Sequence, residues 1–354
     1  MKLNDYLRAF MFTVIGMSLA TSCDDWTEPE SVDLKYGTIE NADPAGYENY
    51  LERLREYRSL PHKSVYAWFD NHGEAFASQG HRISALPDSI DVVVLANVES
   101  VTNQMLDEMK EARAKKGQQF SYCIDLDGIK GDYTALCEDL AAKQLAFFAE
   151  NGEDAELPEE LKTPDIVDYM AKTAQEKLAY FDAVGFDCLM AGFTGKSTNH
   201  LDKTELTEYN RQANAFLGII GAWHARHKEV PLDIIGKPQN VDAATLGNVR
   251  TAFLSDGLTA TNQDMFTYIL LSAGDALPAE RYGMVASSPL ADGSDPKVGY
   301  LSDGTSAVEA LGFWGAGSSV GAVGVFNVAD DYFLTQGQYT STRRMIQNVN
   351  PAAK

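Results

Sequence analysis

Basic residues are scarce in this chain of 354 residues. Lysine and arginine together number 29 against 51 aspartates and glutamates, a formal net charge of −22. A surface of that sign repels phosphate backbones, which argues against nucleic-acid binding. It also repels anionic lipid headgroups, so attachment to a bilayer needs an anchor and not a basic patch. Cysteine is scarcer still, with four in the whole chain. Cys123, Cys137 and Cys188 lie in apolar stretches and form an odd set, so they read as buried small residues and not as a disulfide framework or a metal site. His224 and His227 stand three apart on an expected helix without a third ligand, so no metal is expected. Gly195-Lys196-Ser197 has the ending of a phosphate-binding loop, but Met190 stands where that loop needs its first glycine. No internal repeat occurs, and no cofactor is implied. What remains is ordinary for a folded chain: 45% apolar and 23% charged residues.

The first 22 residues read as a signal peptide. Lys2 and Arg8 make a weakly basic start. The apolar run over 9–20 is shorter than the ~20 residues that span a bilayer and suits a signal h-region. It ends in Leu19-Ala20-Thr21-Ser22-Cys23, which resembles a bacterial lipobox. That resemblance implies acylation at Cys23 and anchoring of the mature chain by its lipid alone. Asp24, Asp25, Glu28 and Glu30 follow, similar to the surface-export signal of Bacteroidota-type lipoproteins. Residues 23–43 are polar and aperiodic, and read as a tether.

From residue 44 to 354 strand and helix patterns alternate. The spacing predicts strands over 64–69, 90–96, 119–126, 186–193, 231–236, 266–272, 281–287 and 321–328. Helices are expected over 44–59, 102–116, 133–150, 163–184, 204–227, 305–313 and 338–349, with 242–253 also helical in pattern. Asp43-Pro44 opens the first of these, and Gly117 and Gly185 close two others. Eight apolar strands separated mainly by helices fit an α/β fold of the (β/α)8 TIM-barrel type. A doubly wound open sheet is the rival, weakened because no Gly-rich phosphate loop follows the first strand. The interval 274–280 is too short for a helix between the expected sixth and seventh strands.

The fourth strand is the most informative. Gly185-Phe186-Asp187 leads into Cys188-Leu189-Met190-Ala191-Gly192-Phe193-Thr194. This resembles the fourth strand of glycoside hydrolase family 18, the chitinases and endo-β-N-acetylglucosaminidases, whose pattern is Gly-Phe-Asp-Gly-x-Asp-x-Asp-x-Glu. Gly185, Phe186 and Asp187 match. The remaining acidic positions fall on Met190, Gly192 and Thr194. Strand side chains alternate, so these three share one face. In the family that face presents carboxylates to the sugar: the Glu protonates the leaving oxygen, and the Asp before it orients the substrate's 2-acetamido group. A threonine hydroxyl is far too weak an acid for the first task. Asp187 has the opposite parity and is expected to face the helix layer.

The resemblance therefore implies a barrel without catalytic residues that binds glycans containing N-acetylglucosamine. Sugar sites use aromatic faces and short polar side chains. Candidates at strand ends are Trp68 for stacking and Asp70, Asn71, Asp125, Asp275 and Asn327 for hydroxyl groups. Trp314 reads as a rim aromatic or a core anchor. A lipid-anchored protein of this kind resembles the glycan-capturing partners of outer-membrane import systems of the starch-utilisation type, so a location at the cell surface beside a transporter complex is implied. Two other readings stay open: an active glycosidase using carboxylates of other strands, such as Asp125 or Asp275, and an assembly component that contacts protein alone.

Overall fold

The computed structural model describes residues 39–71, 78–96, 101–334 and 337–351. Cys23, the acidic residues after it and the expected signal peptide lie outside them. The chain divides into two units, Met1–Tyr50 and Leu51–Lys354. A helical turn at Ile39–Ala42 is followed by Asp43, whose carboxylate accepts the Gly46 N–H (2.9 Å) and so opens helix α1, Pro44–Ser59, which begins in the first unit.

The second unit holds eight parallel strands that pair in sequence order and close, β8 against β1. They are β1 (Ser64–Phe69), β2 (Val92–Leu95), β3 (Gln119–Asp125), β4 (Cys188–Phe193), β5 (Leu232–Gly236), β6 (Ala252–Leu254), β7 (Tyr282–Ser287) and β8 (Ala322–Phe326). The intervening helices are α2 (Asn103–Lys116), α3 (Leu126–Asn151), α4 (Ile166–Val184), α5 (Lys203–His224), α6 (Ala243–Gly247), α7 (Asp264–Ser272) and α8 (Ala307–Gly317). Helix α9 (Thr340–Val349) follows β8. The expected TIM barrel is thus the fold. Local chemistry sets the helix ends: Thr102 caps α2 and Gly117 ends it in the left-handed region, while Asp202 and Glu205 form a reciprocal capping box on α5.

Strand alternation sorts the core into two layers. Tyr66, Trp68, Val92, Val94, Met190, Phe253, Val285 and Ala322 pack together inside the barrel. Their neighbours one residue on, such as Ala67, Val93, Leu189, Ala191 and Val323, pack outward against the helices. At the strand N-terminal end the interior closes on an ion pair. Asp233 is 0% exposed. It accepts Arg250 Nε (2.9 Å) and Nη2 (2.5 Å) and the Tyr66 hydroxyl (3.0 Å). Cys188 lies beside the same guanidinium, and burial pushes its thiol up to about 12, so it stays protonated.

One element differs from expectation. Residues 266–272 form helix α7 and not the sixth strand. The run FTYILLS is apolar throughout, so periodicity alone does not separate strand from helix. In the structure Phe266 and Ile269 face the core while Tyr268 and Leu271 are exposed, the i, i+3 spacing of a helix. The true β6 is three residues long and overlaps the end of the stretch expected as a helix over 242–253, of which only α6 is helical. Loop 274–280 therefore has no helix to supply; α7 is the crossover itself.

Candidate functional site

Each inward-facing row of side chains ends at the strand C-terminal mouth, where barrels of this kind carry their sites. On β4 the row is Met190, Gly192, Thr194. Met190 is fully buried in the inner cluster. Gly192 has no room for a side chain: a Cβ there would stand 2.1 Å from Asp125 Oδ1 and 2.9 Å from the Asp125 Cα. Asp125 is paired in register with Gly192 from the end of β3, so its carboxylate fills the volume that a side chain at 192 would take. That carboxylate is held in place, because Asp125 Oδ2 accepts the Gly128 N–H (2.7 Å) and caps α3. Although Asp125 is open to solvent on one side, burial raises its pKa; the Gly128 N–H opposes the rise and Asp127 adds to it. Thr194 follows the strand and lines a cleft, half-buried. Asp187 stands at the opposite end of β4 and turns outward, accepting the Arg113 guanidinium and the Phe120 N–H, both at 2.8 Å.

The other expected positions divide. Asp70 continues the inner row of Tyr66 and Trp68 to the mouth. Its charge, with that of Asp292, adds to the burial that raises the Asp330 pKa, against a backbone N–H from Ala291. Asn327 ends β8 in the left-handed region (φ 53°), which asparagine tolerates, and its carbonyl accepts the Asp330 N–H (3.0 Å). Trp68 is a correction. It is 6% exposed, stacked on Phe326 at 4.3 Å and edge-on to Phe253 at 5.3 Å. It also fills the space over Gly324, so its faces are spent inside the barrel. Asn71 is 1% exposed and likewise offers no surface. Asp275 is a second correction: it follows α7, so it lies at the strand N-terminal end, away from the mouth. Trp314 belongs to the helix layer, where its indole N–H donates to Thr267 (2.9 Å) and its ring meets Phe266. His72, next in the chain after Asn71, lies outside the described residues.

Sequence reasoning did not single out the cleft beside Thr194. It has a volume of about 760 Å³ and is walled by residues 194–199 after β4 and by Lys237 and residues 239–242 after β5. Its lining is polar and includes Lys196, Asn199, Gln239 and Asn240. The two walls are tied where Asn240 Nδ2 donates to the Thr194 carbonyl (3.5 Å). The signal was two polar loops at consecutive strand ends, which carry no named motif. Among the described residues, no group of three or more His, Cys, Asp or Glu side chains is placed to hold a metal ion.

Three comparisons bear on this geometry. The family model for glycoside hydrolase family 18, BT1044-like, matches residues 27–347. Among solved structures, a selenomethionine form of BT1044 with a glutamate replaced by glutamine superposes with a TM-score of 0.59 at 15% identity, covering 88% of this chain and 95% of that one. The endo-β-N-acetylglucosaminidase of Cordyceps militaris gives 0.51 at 12% identity over 86% of this chain and 96% of its own. A doubly substituted form of that enzyme, in complex with fucosyl-N-acetylglucosamine-Asn, gives 0.52 at 13% over 85% and 95%. At these identities the superpositions establish the fold. No curated protein matches the chain.

Proposed function

The chain belongs to glycoside hydrolase family 18, in its BT1044-like group, and we propose that within this family it binds N-acetylglucosamine-containing glycans without hydrolysing them. The observation that carries this reading is the β4 row Met190, Gly192, Thr194, a thioether buried in the barrel followed by a hydrogen and a hydroxyl towards the mouth, where the family pattern has carboxylates. Loss of a general acid alone removes about 10²–10⁴ in rate. The carboxylate that would orient an acetamido group cannot be restored at 192 while Asp125 fills that volume. Glycan contacts are assigned to Asp70, Asp125, Thr194 and Asn327 around the mouth and to the cleft beside it. The ligand class follows from the family and from the related Cordyceps enzyme, whose variant holds fucosyl-N-acetylglucosamine-Asn.

The test is to incubate the mature protein with chitooligosaccharides and N-glycans and to measure both retention on a glycan array and product release. Retention without cleavage is expected; turnover at ordinary enzyme rates overturns the reading. A second reading has one observation in its favour. Asp125 is an inward carboxyl with a raised pKa, which is the condition of a general acid. If hydrolysis is seen and Asp125→Asn abolishes it, that reading replaces the first.

The same proposal places the mature chain at the cell surface, acylated at Cys23 and beside an outer-membrane glycan transporter. Mass spectrometry of the mature N-terminus reads the acyl groups. Release of Cys23→Ala into the medium or periplasm is the expected consequence.

A further inference from the structure

The cleft beside Thr194 brings two lysines together on an acidic chain. The chain carries a net charge of −22, yet two of the side chains lining this cleft are lysines, Lys196 and Lys237, against one carboxylate, Asp242. Asp242 Oδ1 accepts the Thr245 N–H (2.9 Å) and Oδ2 accepts the Thr245 hydroxyl (2.6 Å), so it caps α6, and these bonds lower its pKa and keep it negatively charged. Lys237 is half-buried and held at 3.1 Å from Asp256.

Lys196 is placed by its surroundings. Gly195 takes φ +59°, and a Cβ there would meet Phe193, Asn240 and the Tyr209 hydroxyl at 2.7 to 3.1 Å, so only glycine makes this turn. The next N–H, that of Lys196, donates to the Tyr209 hydroxyl (3.2 Å), and the Lys196 ammonium lies 5.7 Å from the centre of the Tyr209 ring. Tyr209 on α5 thus fixes both the backbone and the charged head of Lys196. The remaining lining, Ser197, Thr198, Asn199, Gln239 and Asn240, supplies amides and hydroxyls that suit sugar hydroxyl groups.

We infer that this cleft recognises an anionic sugar residue, a glycan branch carrying a carboxylate or sulfate, with Lys196 as the anion contact and Tyr209 as its positioning residue. The inference rests on the glycan-binding reading and narrows it. An ammonium on a flexible stem meets a carboxylate or a sulfate as a point charge, so the shared chemistry is the negative charge, and the probes separate its two sources.

The experiment measures affinity of the mature protein by calorimetry for three probes. These are a biantennary N-glycan ending in sialic acid, the same glycan after sialidase treatment, and a sulfated N-acetylglucosamine oligosaccharide with its unsulfated parent. The sialylated or the sulfated probe is expected to bind about tenfold tighter than its neutral parent, the order of one charge-assisted hydrogen bond. Whichever does so names the anion. The advantage should shrink as salt is raised to about 1 M, where the screening length is about 3 Å, and Lys196→Gln should remove it. Tyr209→Phe keeps the ring and loses the hydroxyl, so it should reduce the advantage in part without lowering the melting temperature. Equal affinity for charged and neutral probes overturns the inference and leaves the glycan-binding reading standing. Absence of binding to all probes overturns both.

Discussion

The two ends of the barrel treat negative charge differently. At the strand N-terminal end the interior keeps a fully buried carboxylate, Asp233, matched by the Arg250 guanidinium and the Tyr66 hydroxyl. At the mouth the inward row of β4 keeps none. The fold therefore does accept an ionised group inside the barrel, provided that its partners come with it, since a buried charge is costly mainly when unpaired. The absence of a carboxylate at 192 matches its local packing against Asp125 and does not reflect a general intolerance of charge.

This contrast can be broken or sharpened by substitution. The largest effect is expected at the closed end: Asp233→Ala leaves Arg250 without its partner and should cost about 3–5 kcal/mol, read from the midpoint of denaturant unfolding. At the mouth, Trp68→Ala should cost a similar ~3–5 kcal/mol, because the ring is a core element stacked on Phe326. A variant of unchanged stability that lost glycan binding would return Trp68 to the ligand surface. Gly192→Asp should cost about 1–3 kcal/mol through overpacking against Asp125, and product release should stay at background. Asp125→Gly in the same chain should recover part of that loss. The smallest effect concerns His62, at the closed end. Its pKa is raised above 6.5, first by the hydrogen bond to Asp91 (3.1 Å) and against the effect of burial. A folded-state pKa above the unfolded value means that the stabilisation is complete below about pH 6.5 and fades as pH rises through the folded-state value. The unfolding midpoint should fall across that window, and His62→Gln should flatten the fall.

Much of this architecture was legible in the chain itself. Seven of the eight strands fall within the stretches expected from the sequence, and the parity of β4 follows from counting. Helix α3 begins at Leu126 and not near 133 because Asp125 serves as both strand end and cap. β6 was not legible, since three residues are too few to show alternation, and the longer apolar run nearby competes for the assignment. Asp275 was misplaced for the same reason. Trp68 was misread because its burial depends on Gly324 and Phe326, which meet it only when β8 closes on β1. Chain-local patterns do not carry such contacts. The Lys196 cleft joins loops after two strands, and its pair of lysines emerges only when both are seen together.

The interlock of Asp125 with Gly192 couples two strands at the mouth. An aspartate introduced at 192 collides with its neighbour on β3, and a change at 125 alone strips the cap from α3. A carboxylate at 192 would need coordinated replacements on β3 and β4, one to clear the volume that Asp125 fills and one to restore the cap on α3.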